Sequence, residues 1–581
     1  MKQRRSHFLV ATTLILIGSL LAHYVQNDAA SIAVEEVRFA GSSGNMMGAL
    51  LYVPSQASTQ KPAPGILAIH GYINSRETQS GFAIEFARRG FVVLALDQTG
   101  HGYSDPPAFA HGFGGPDGLE YLRSLPFVDT QNIGLEGHSM GGWAVQMAAA
   151  NAPDNYTSMV LVGSSTGSFG VPEGTADQPK NLLLVFSLFD EFSEMMWGAE
   201  IPADITTTEK LKSLFGSQTS IAIDKIYGDP QAGTARKLAM PAVTHPGDHL
   251  SRDAIGAAIE WFELTLKQNG TSLLPTDQIW YWKELGTALA LVGLVLLIFP
   301  VADWLFSLAL FKSVTSNPPA ISHQSHFALG FNVTATMIIP VLTFFPLQTI
   351  ANILLPANSF LPQQITNGVL LWAWGTGFIT LGMFYFWQRK QKRKLNEFGM
   401  PVSWEIILKA AGIALLCCGF LYLNLLMADF FLLVDFRFWV VALKLLSPLQ
   451  FGIFLIYLLP FTVYFLVLSL SLHNPLRMNI SPGKAIWRNG LTLSSGFVIL
   501  ILIQYLPLLL GGTLAIPSQP LLSIVGFQFV PLLFMVGAVS TYCFERTGNI
   551  YTGAFINGIF VTWYMVAGTA TQAVPFFDWL Y

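Results

Sequence analysis

Five residues, Gly137-His138-Ser139-Met140-Gly141, have the types and the spacing for nucleophilic chemistry. A serine hydroxyl is a poor nucleophile until it is exposed and a base stands within hydrogen-bond reach. A G-x-S-x-G meets the first condition when it turns sharply from a strand into a helix, because the serine then sits in strained backbone with its hydroxyl clear of the sheet. The flanking glycines are needed because a Cβ there would collide with the neighbouring strand and helix. Residues 132–136, Asn-Ile-Gly-Leu-Glu, read as the strand before the turn, and the small residues of 142–150 read as the helix after it. In a chain with 51 glycines the five-residue pattern alone could arise by chance. Its strand and helix flanks single it out as a nucleophile elbow.

The host of this elbow is unusual. The chain has 581 residues, 52% of them hydrophobic and only 11% charged, with a mean hydropathy of +0.49. That is too apolar for a soluble protein of this size. The apolarity is uneven and divides the chain. Residues 1–29 hold a basic start and the apolar run 8–22, which reads as a signal anchor or a signal peptide. Residues 30–270 have ordinary mixed composition, 271–284 form a linker, and 285–581 consist mostly of apolar runs long enough to cross a bilayer. The net charge of −4 and the lack of a Lys/Arg stripe argue against a nucleic-acid partner. Cys417, Cys418 and Cys543 all fall in the apolar half, so the 30–270 region is expected to hold no disulfide.

Within 30–270, strand and helix signals alternate. Residues 34–39 and 47–53 read as an opening antiparallel pair. Residues 65–69, 91–96, 158–162 and 182–188 read as continuous apolar strands, with helices over 82–89, 116–125 and 253–267. Buried apolar strands separated by helices predict an α/β fold, a doubly wound and mostly parallel sheet covered on both faces. Three motifs then carry a family likeness: His70-Gly71-Tyr72; Asp97-Gln98-Thr99-Gly100-His101-Gly102-Tyr103-Ser104; and Gly137-His138-Ser139-Met140-Gly141-Gly142. From about residue 63 to 262 the chain resembles the α/β-hydrolase family, in particular its small-cap branch of esterases, dienelactone hydrolases and prolyl-oligopeptidase-like enzymes.

The resemblance implies a catalytic triad in the chain order Ser, Asp/Glu, His. Ser139 takes the first place. Asp190, just after the apolar strand at 182–188, takes the second, with Glu191 as its rival. His249, leading directly into the last helix of the region, takes the third, while His245, two residues before a glycine, reads as a loop partner. The oxyanion would be held by the backbone N–H groups of Tyr72 and Met140. The reaction so implied is acyl transfer from an acyl-containing small molecule or lipid through Ser139, with no metal and no organic cofactor. The short, Gly- and Pro-containing stretch 165–180 leaves no room for a large lid, so an open site is expected.

The apolar half reads as an all-α polytopic domain of about eight spans, at 285–310, 327–349, 366–388, 405–427, 449–472, 491–512, 521–541 and 550–570. With the 30–270 region outside, alternation puts Lys312, the basic loop 389–394, Arg477, Lys484, Arg488 and Arg546 inside, and only Arg437 and Lys444 outside. That asymmetry follows the positive-inside rule and predicts a multi-pass protein of the cell membrane with an extracytoplasmic hydrolase-like domain. Residues 429–446, apolar but interrupted by Asp435, Arg437 and Lys444, read as an interfacial or re-entrant segment. Three functions compete at this point: a membrane-anchored serine hydrolase, most simply a carboxylic ester hydrolase; an acyltransferase to a lipid or cell-envelope acceptor; and a non-catalytic transporter or sensor.

Overall fold

The computed structural model describes residues 2–266, 273–321, 325–389, 391 and 395–578. Part of the expected linker and residues 390 and 392–394 of the basic loop lie outside the described residues. Eight strands form one sheet: β1 (Ile32–Ala40), β2 (Met46–Pro54), β3 (Ala63–Ile69), β4 (Val92–Leu96), β5 (Val128–His138), β6 (Ser158–Val162), β7 (Leu182–Val185) and β8 (Arg236–Ala239). Their order is β1-β2-β4-β3-β5-β6-β7-β8. β1, β2 and β4 pair antiparallel, and every pairing from β4 onward is parallel. The α/β-hydrolase fold is therefore present, and the chain continues into a helical region rich in apolar helices.

Alternation along the strands feeds two cores. Val92, Leu94 and Leu96 of β4 join Leu67, Leu135, Leu161 and Leu184 on one face, under α3 (Gly115–Ser124) and α4 (Met140–Asn151). Val93 and Ala95 turn to the other face, where Phe82 and Phe86 of α2 (Ser80–Arg88) meet Ile259 and Phe262 of α7 (Arg252–Thr265). Each fully buried aromatic or leucine contributes roughly 1.5–3 kcal/mol. Two short helices, α5 (Ser193–Trp197) and α6 (Glu209–Phe215), complete the first layer. The strand β8 escaped the sequence reading because Arg236-Lys237-Leu238-Ala239 does not read as apolar. The Arg236 guanidinium is nonetheless buried, donating to the carbonyls of Leu214, Ala235 and Thr175.

The helical region comprises α8 (Trp280–Ser307), α9 (His326–Leu354), α10 (Gln364–Arg389), α11 (Trp404–Leu432), α12 (Pro448–Leu472), α13 (Pro482–Leu509), α14 (Pro520–Thr547) and α15 (Tyr551–Gly568). Each falls on one of the eight expected runs. Among the described residues eight helices are long and apolar enough to cross a membrane: α8 to α14, and the N-terminal α1 (Lys2–Gln26). α15 is shorter, and it is buried along nearly its whole length, which lets it carry Thr552, Asn557 and Thr562 inward. α1 lies against α8 through small residues. A Cβ on Gly18 would stand 2.4 Å from the Gly286 carbonyl oxygen, so the two backbones are in direct contact.

The two halves are joined by polar contacts that the sequence does not announce. The first N–H groups of a helix have no intrahelical acceptor. Those at the start of α8 are taken by Glu85 of α2, whose Oε1 accepts from the backbone of Ile279 at 2.6 Å and Trp280 at 3.1 Å. The 429–446 segment does not cross the bundle. α11 runs on to Leu432, and the chain then folds into a hairpin of β9 (Phe436–Phe438) and β10 (Val441–Leu443). Arg437 anchors it. Its guanidinium donates to Thr78 Oγ1 at 2.8 Å, Ser75 Oγ at 3.2 Å and Glu77 Oε2 at 3.2 Å, and its Nε to Asp435 at 2.6 Å. Burial raises the pKa of the Glu77 carboxyl, but Arg76 and Arg437 outweigh that effect and hold it well below the ordinary range. A buried charge is tolerable only when paired in this way.

Candidate active site

β5 ends at His138 and α4 starts at Met140, which leaves Ser139 alone on the turn. Its φ of 53° and ψ of −120° are a conformation that a non-glycine residue adopts at a cost of roughly 1–3 kcal/mol. The surroundings hold it there. Its N–H donates to the Val162 carbonyl at 2.8 Å, and its carbonyl accepts from Ser164 Oγ at 2.7 Å. The glycines are sterically obligatory. A Cβ on Gly137 would lie 2.2 Å from the Gly141 oxygen, and one on Gly141 would lie 2.0 Å from the Ile69 oxygen.

Asp190 stands shortly after β7 and is buried. Its Oδ2 accepts from the Nδ1–H of His245 at 2.9 Å, while Oδ1 accepts from the Phe192 N–H at 2.8 Å. That places the carboxylate against His245, not against His249 as the sequence reading expected. His249 lies 4.0 Å from the His138 ring, centroid to centroid, and neither of its ring nitrogens has a hydrogen-bond partner among the described residues. Burial, with the positive fields of His245 and Arg437, lowers its pKa to about 3. The physical reason for the exchange is the 3-10 turn His245–Leu250. It carries His245 to the carboxylate and leaves His249 directly before α7, tilted at 47° to the His138 ring and lining the same cavity as Ser139. For His245, burial alone would depress the pKa. The fields of Asp190, Glu191 and Asp248 and the bond to Asp190 outweigh burial and raise it. With Nδ1 committed to Asp190, Nε2 is the nitrogen left to take a proton.

Glu191, the rival acid, has a different position. Its Oε2 accepts from the His245 backbone N–H at 2.7 Å, and its Oε1 accepts from the Tyr505 hydroxyl of α13 at 2.8 Å. Burial and the Asp190 charge raise its pKa to about 7. Asp248, which the sequence reading passed over, is fully buried with Ser187 Oγ at 2.5 Å. Burial pushes its carboxyl well above the usual range. His138 donates from Nε2 to the His245 carbonyl at 3.0 Å, so it braces the loop. Among the described residues no three His, Cys, Asp or Glu side chains are grouped as a metal ion would require.

Ser139, His245, Tyr72 and Met140 all line one cavity of about 480 Å³. Met140 is the first residue of α4 and so carries an N–H without an intrahelical partner. The Tyr72 ring is fixed by a bond from Gln572 Nε2 to its hydroxyl, 2.6 Å long. The cavity meets solvent at Phe109, Phe169 and Met195 but is less open than expected. The residues 165–180 are indeed no lid, but the helical region supplies walls instead: Trp439 and Val440 from the hairpin turn, and Leu521, Ile524 and Gln528 from α14. Trp439 donates from Nε1 to the Pro246 carbonyl at 2.9 Å, one residue from His245. No local signal in the sequence could have brought residues 439 and 521–528 to Ser139.

Residues 64–197 match the protein family described as alpha/beta hydrolase fold. An uncharacterised protein of Mycobacterium tuberculosis is 32% identical over 102 residues, which is 17% of this chain and 29% of that protein. The dipeptidyl-peptidase 5 of Schizosaccharomyces pombe is 30% identical over 126 residues, covering 19% of this chain and 18% of its own length. The chain therefore spans less than a third of the length of these relatives. Among solved structures, a dienelactone hydrolase-like promiscuous phosphotriesterase from metagenomic libraries is 14% identical, with 41% of this chain and 100% of that one aligned at a TM-score of 0.30.

Proposed function

We propose that this α/β-hydrolase-fold protein is a membrane-anchored serine hydrolase that cleaves an ester, or another acyl bond, through an acyl-serine intermediate. The observation that carries the reading is the bond from buried Asp190 to His245, a ring that lines the same cavity as the strained Ser139. His245 Nε2 takes the Ser139 proton as Oγ adds to the acyl carbonyl carbon. Asp190 fixes the tautomer and stabilises the imidazolium. The N–H groups of Met140 and Tyr72 face the charge that develops on the carbonyl oxygen. The imidazolium then protonates the leaving alcohol as the C–O bond breaks. Water, deprotonated by the same nitrogen, releases the acid and restores Ser139. Covalent labelling of the full-length protein in detergent by a fluorophosphonate tests this reading, and an unlabelled, folded protein would overturn it.

The electrostatics yield a pH prediction. His245 acts as a base only when neutral, and its pKa is raised, so kcat/KM should fall with decreasing pH through a value above the 6.5 of an ordinary imidazole. Glu191 contributes to that rise. Glu191→Gln removes a carboxyl that is charged only above its own pKa of about 7, and should move the upper part of the acid limb to lower pH, measured from the pH profile of ester hydrolysis. A limb that stays in place or moves upward would show that Glu191 does not act on His245.

Topology is the remaining part of the reading. The hydrolase domain faces outward and the 389–394 loop faces the cytoplasm. Ser168→Cys should react with an impermeant maleimide on intact cells, whereas Gln391→Cys should react only after permeabilisation. The reverse order would place the site in the cytoplasm.

A further inference from the structure

The walls of the catalytic cavity come from two unlike sources. On the hydrolase side stand Trp143, Phe169 and Met195, and on the other side Trp439, Leu521 and Ile524. Among the described residues no Asp, Glu, Lys or Arg lines the cavity. Leu521, Ile524 and Gln528 are spaced i, i+3, i+7 and so share one face of α14, a helix long and apolar enough to cross a membrane. Ile73 and Gln528 also line a second, small void that continues among Ile365, Phe529 and Tyr564, inside the bundle. The rim remains apolar where it meets solvent, since Phe169, Met195 and Phe109 are 66%, 49% and 46% exposed.

The hairpin tip adds a second kind of observation. Trp439 has a φ of 53°, a left-handed conformation that is an outlier for a bulky residue. Its bond to the Pro246 carbonyl holds it there, and its ring packs 4.8 Å from Phe527 of α14, centroid to centroid. Strain of this kind persists where the surroundings over-determine a position, and it clusters at functional sites. Here it turns an indole into the wall of a cavity whose chemistry is completed on the opposite side.

We infer that the substrate is a membrane-borne lipid ester, and that its acyl chain lies in this cavity between Ser139 and the first turns of α14, with Ile524 setting the chain length accepted. The inference rests on the serine-hydrolase reading above and leaves its bond-making steps unchanged. An aliphatic chain loses nothing against these walls, whereas a charged acyl group would be stripped of water with no partner. Burial of each added methylene should raise kcat/KM by about fourfold until the cavity is full.

The test uses the full chain in detergent micelles and p-nitrophenyl esters from butyrate to palmitate, read as the ratio of kcat/KM for the long ester over the short one. The parent protein should favour the longer chain. Ile524→Trp should lower the ratio by about tenfold or more, and Ile524→Ala should raise it. A ratio is insensitive to loss of folded protein, and the two substitutions must shift it in opposite directions. Parent activity with the same ratio in both variants would overturn the acyl-cavity inference and leave the hydrolase reading intact. Absence of cleavage and of phosphonate labelling in the parent would remove both. A second arm offers dioleoylglycerol in vesicles of dioleoylphosphatidylcholine and a soluble butyrate ester: release of oleate supports a membrane-borne substrate, and cleavage of the soluble ester alone refutes it.

Discussion

Ser139→Ala should abolish fluorophosphonate labelling and lower kcat for ester hydrolysis by about 10⁴–10⁶-fold, while the protein stays in the membrane fraction with unchanged thermal stability. The size of the effect follows from its place. In the proposed mechanism the hydroxyl is the atom that forms the covalent bond, and a methyl group cannot take its place. The mild effect on folding follows from what is kept. The bonds that hold the turn use the Ser139 backbone, and alanine preserves them. The elbow glycines should behave in the opposite way. Gly141→Ala forces a methyl against the Ile69 carbonyl, so it should lose folded protein before it loses chemistry. Persistent labelling of Ser139→Ala would move the nucleophile elsewhere.

The second large effect separates two histidines four residues apart. His245→Ala and Asp190→Asn should each lower kcat by several orders of magnitude, because in the proposed mechanism one removes the base and the other its tautomer control. His249→Ala should cost no more than about tenfold, since the ring has no polar partner and a pKa of about 3, far from operating pH. Its loss should show mainly as a cavity, in a lower melting temperature. Measured kcat and Tm for the three variants decide the matter, and a His249 variant as inactive as the His245 one would restore the order expected from sequence.

The reversal of the two histidines shows where sequence reading runs out. The elbow was legible because its signal is local: a strand, a tight turn and a helix of small residues within about twenty positions. The parallel strands were legible because burial on both faces leaves a continuous apolar run. Which of two nearby histidines meets Asp190 is decided by a 3-10 turn of six residues, and Thr244-His245-Pro246-Gly247-Asp248-His249 contains no periodicity that would reveal it. Glu191 was weighed only as an alternative acid, since its partner Tyr505 lies 314 positions away. β8 was hidden because arginine and lysine stems can be buried when their heads find carbonyls and a carboxylate. Trp439 and Ile524 were seen only as parts of an interruption and of a span.

The hairpin that Arg437 anchors also dictates which preparations of this protein are informative. A fragment cut after α7 would look like a convenient soluble hydrolase. It would leave the buried Glu77 carboxylate without one of its two guanidinium partners and the Pro246 carbonyl without its indole donor. It would also strip Tyr72 of the amide from Gln572. Inhibitors ranked on such a fragment would be ranked against a half-walled cleft, and compounds that owe their affinity to Trp439 or Ile524 would be discarded. Discovery campaigns and specificity profiles therefore belong with the intact chain in detergent or nanodiscs, even where the fragment is easier to make.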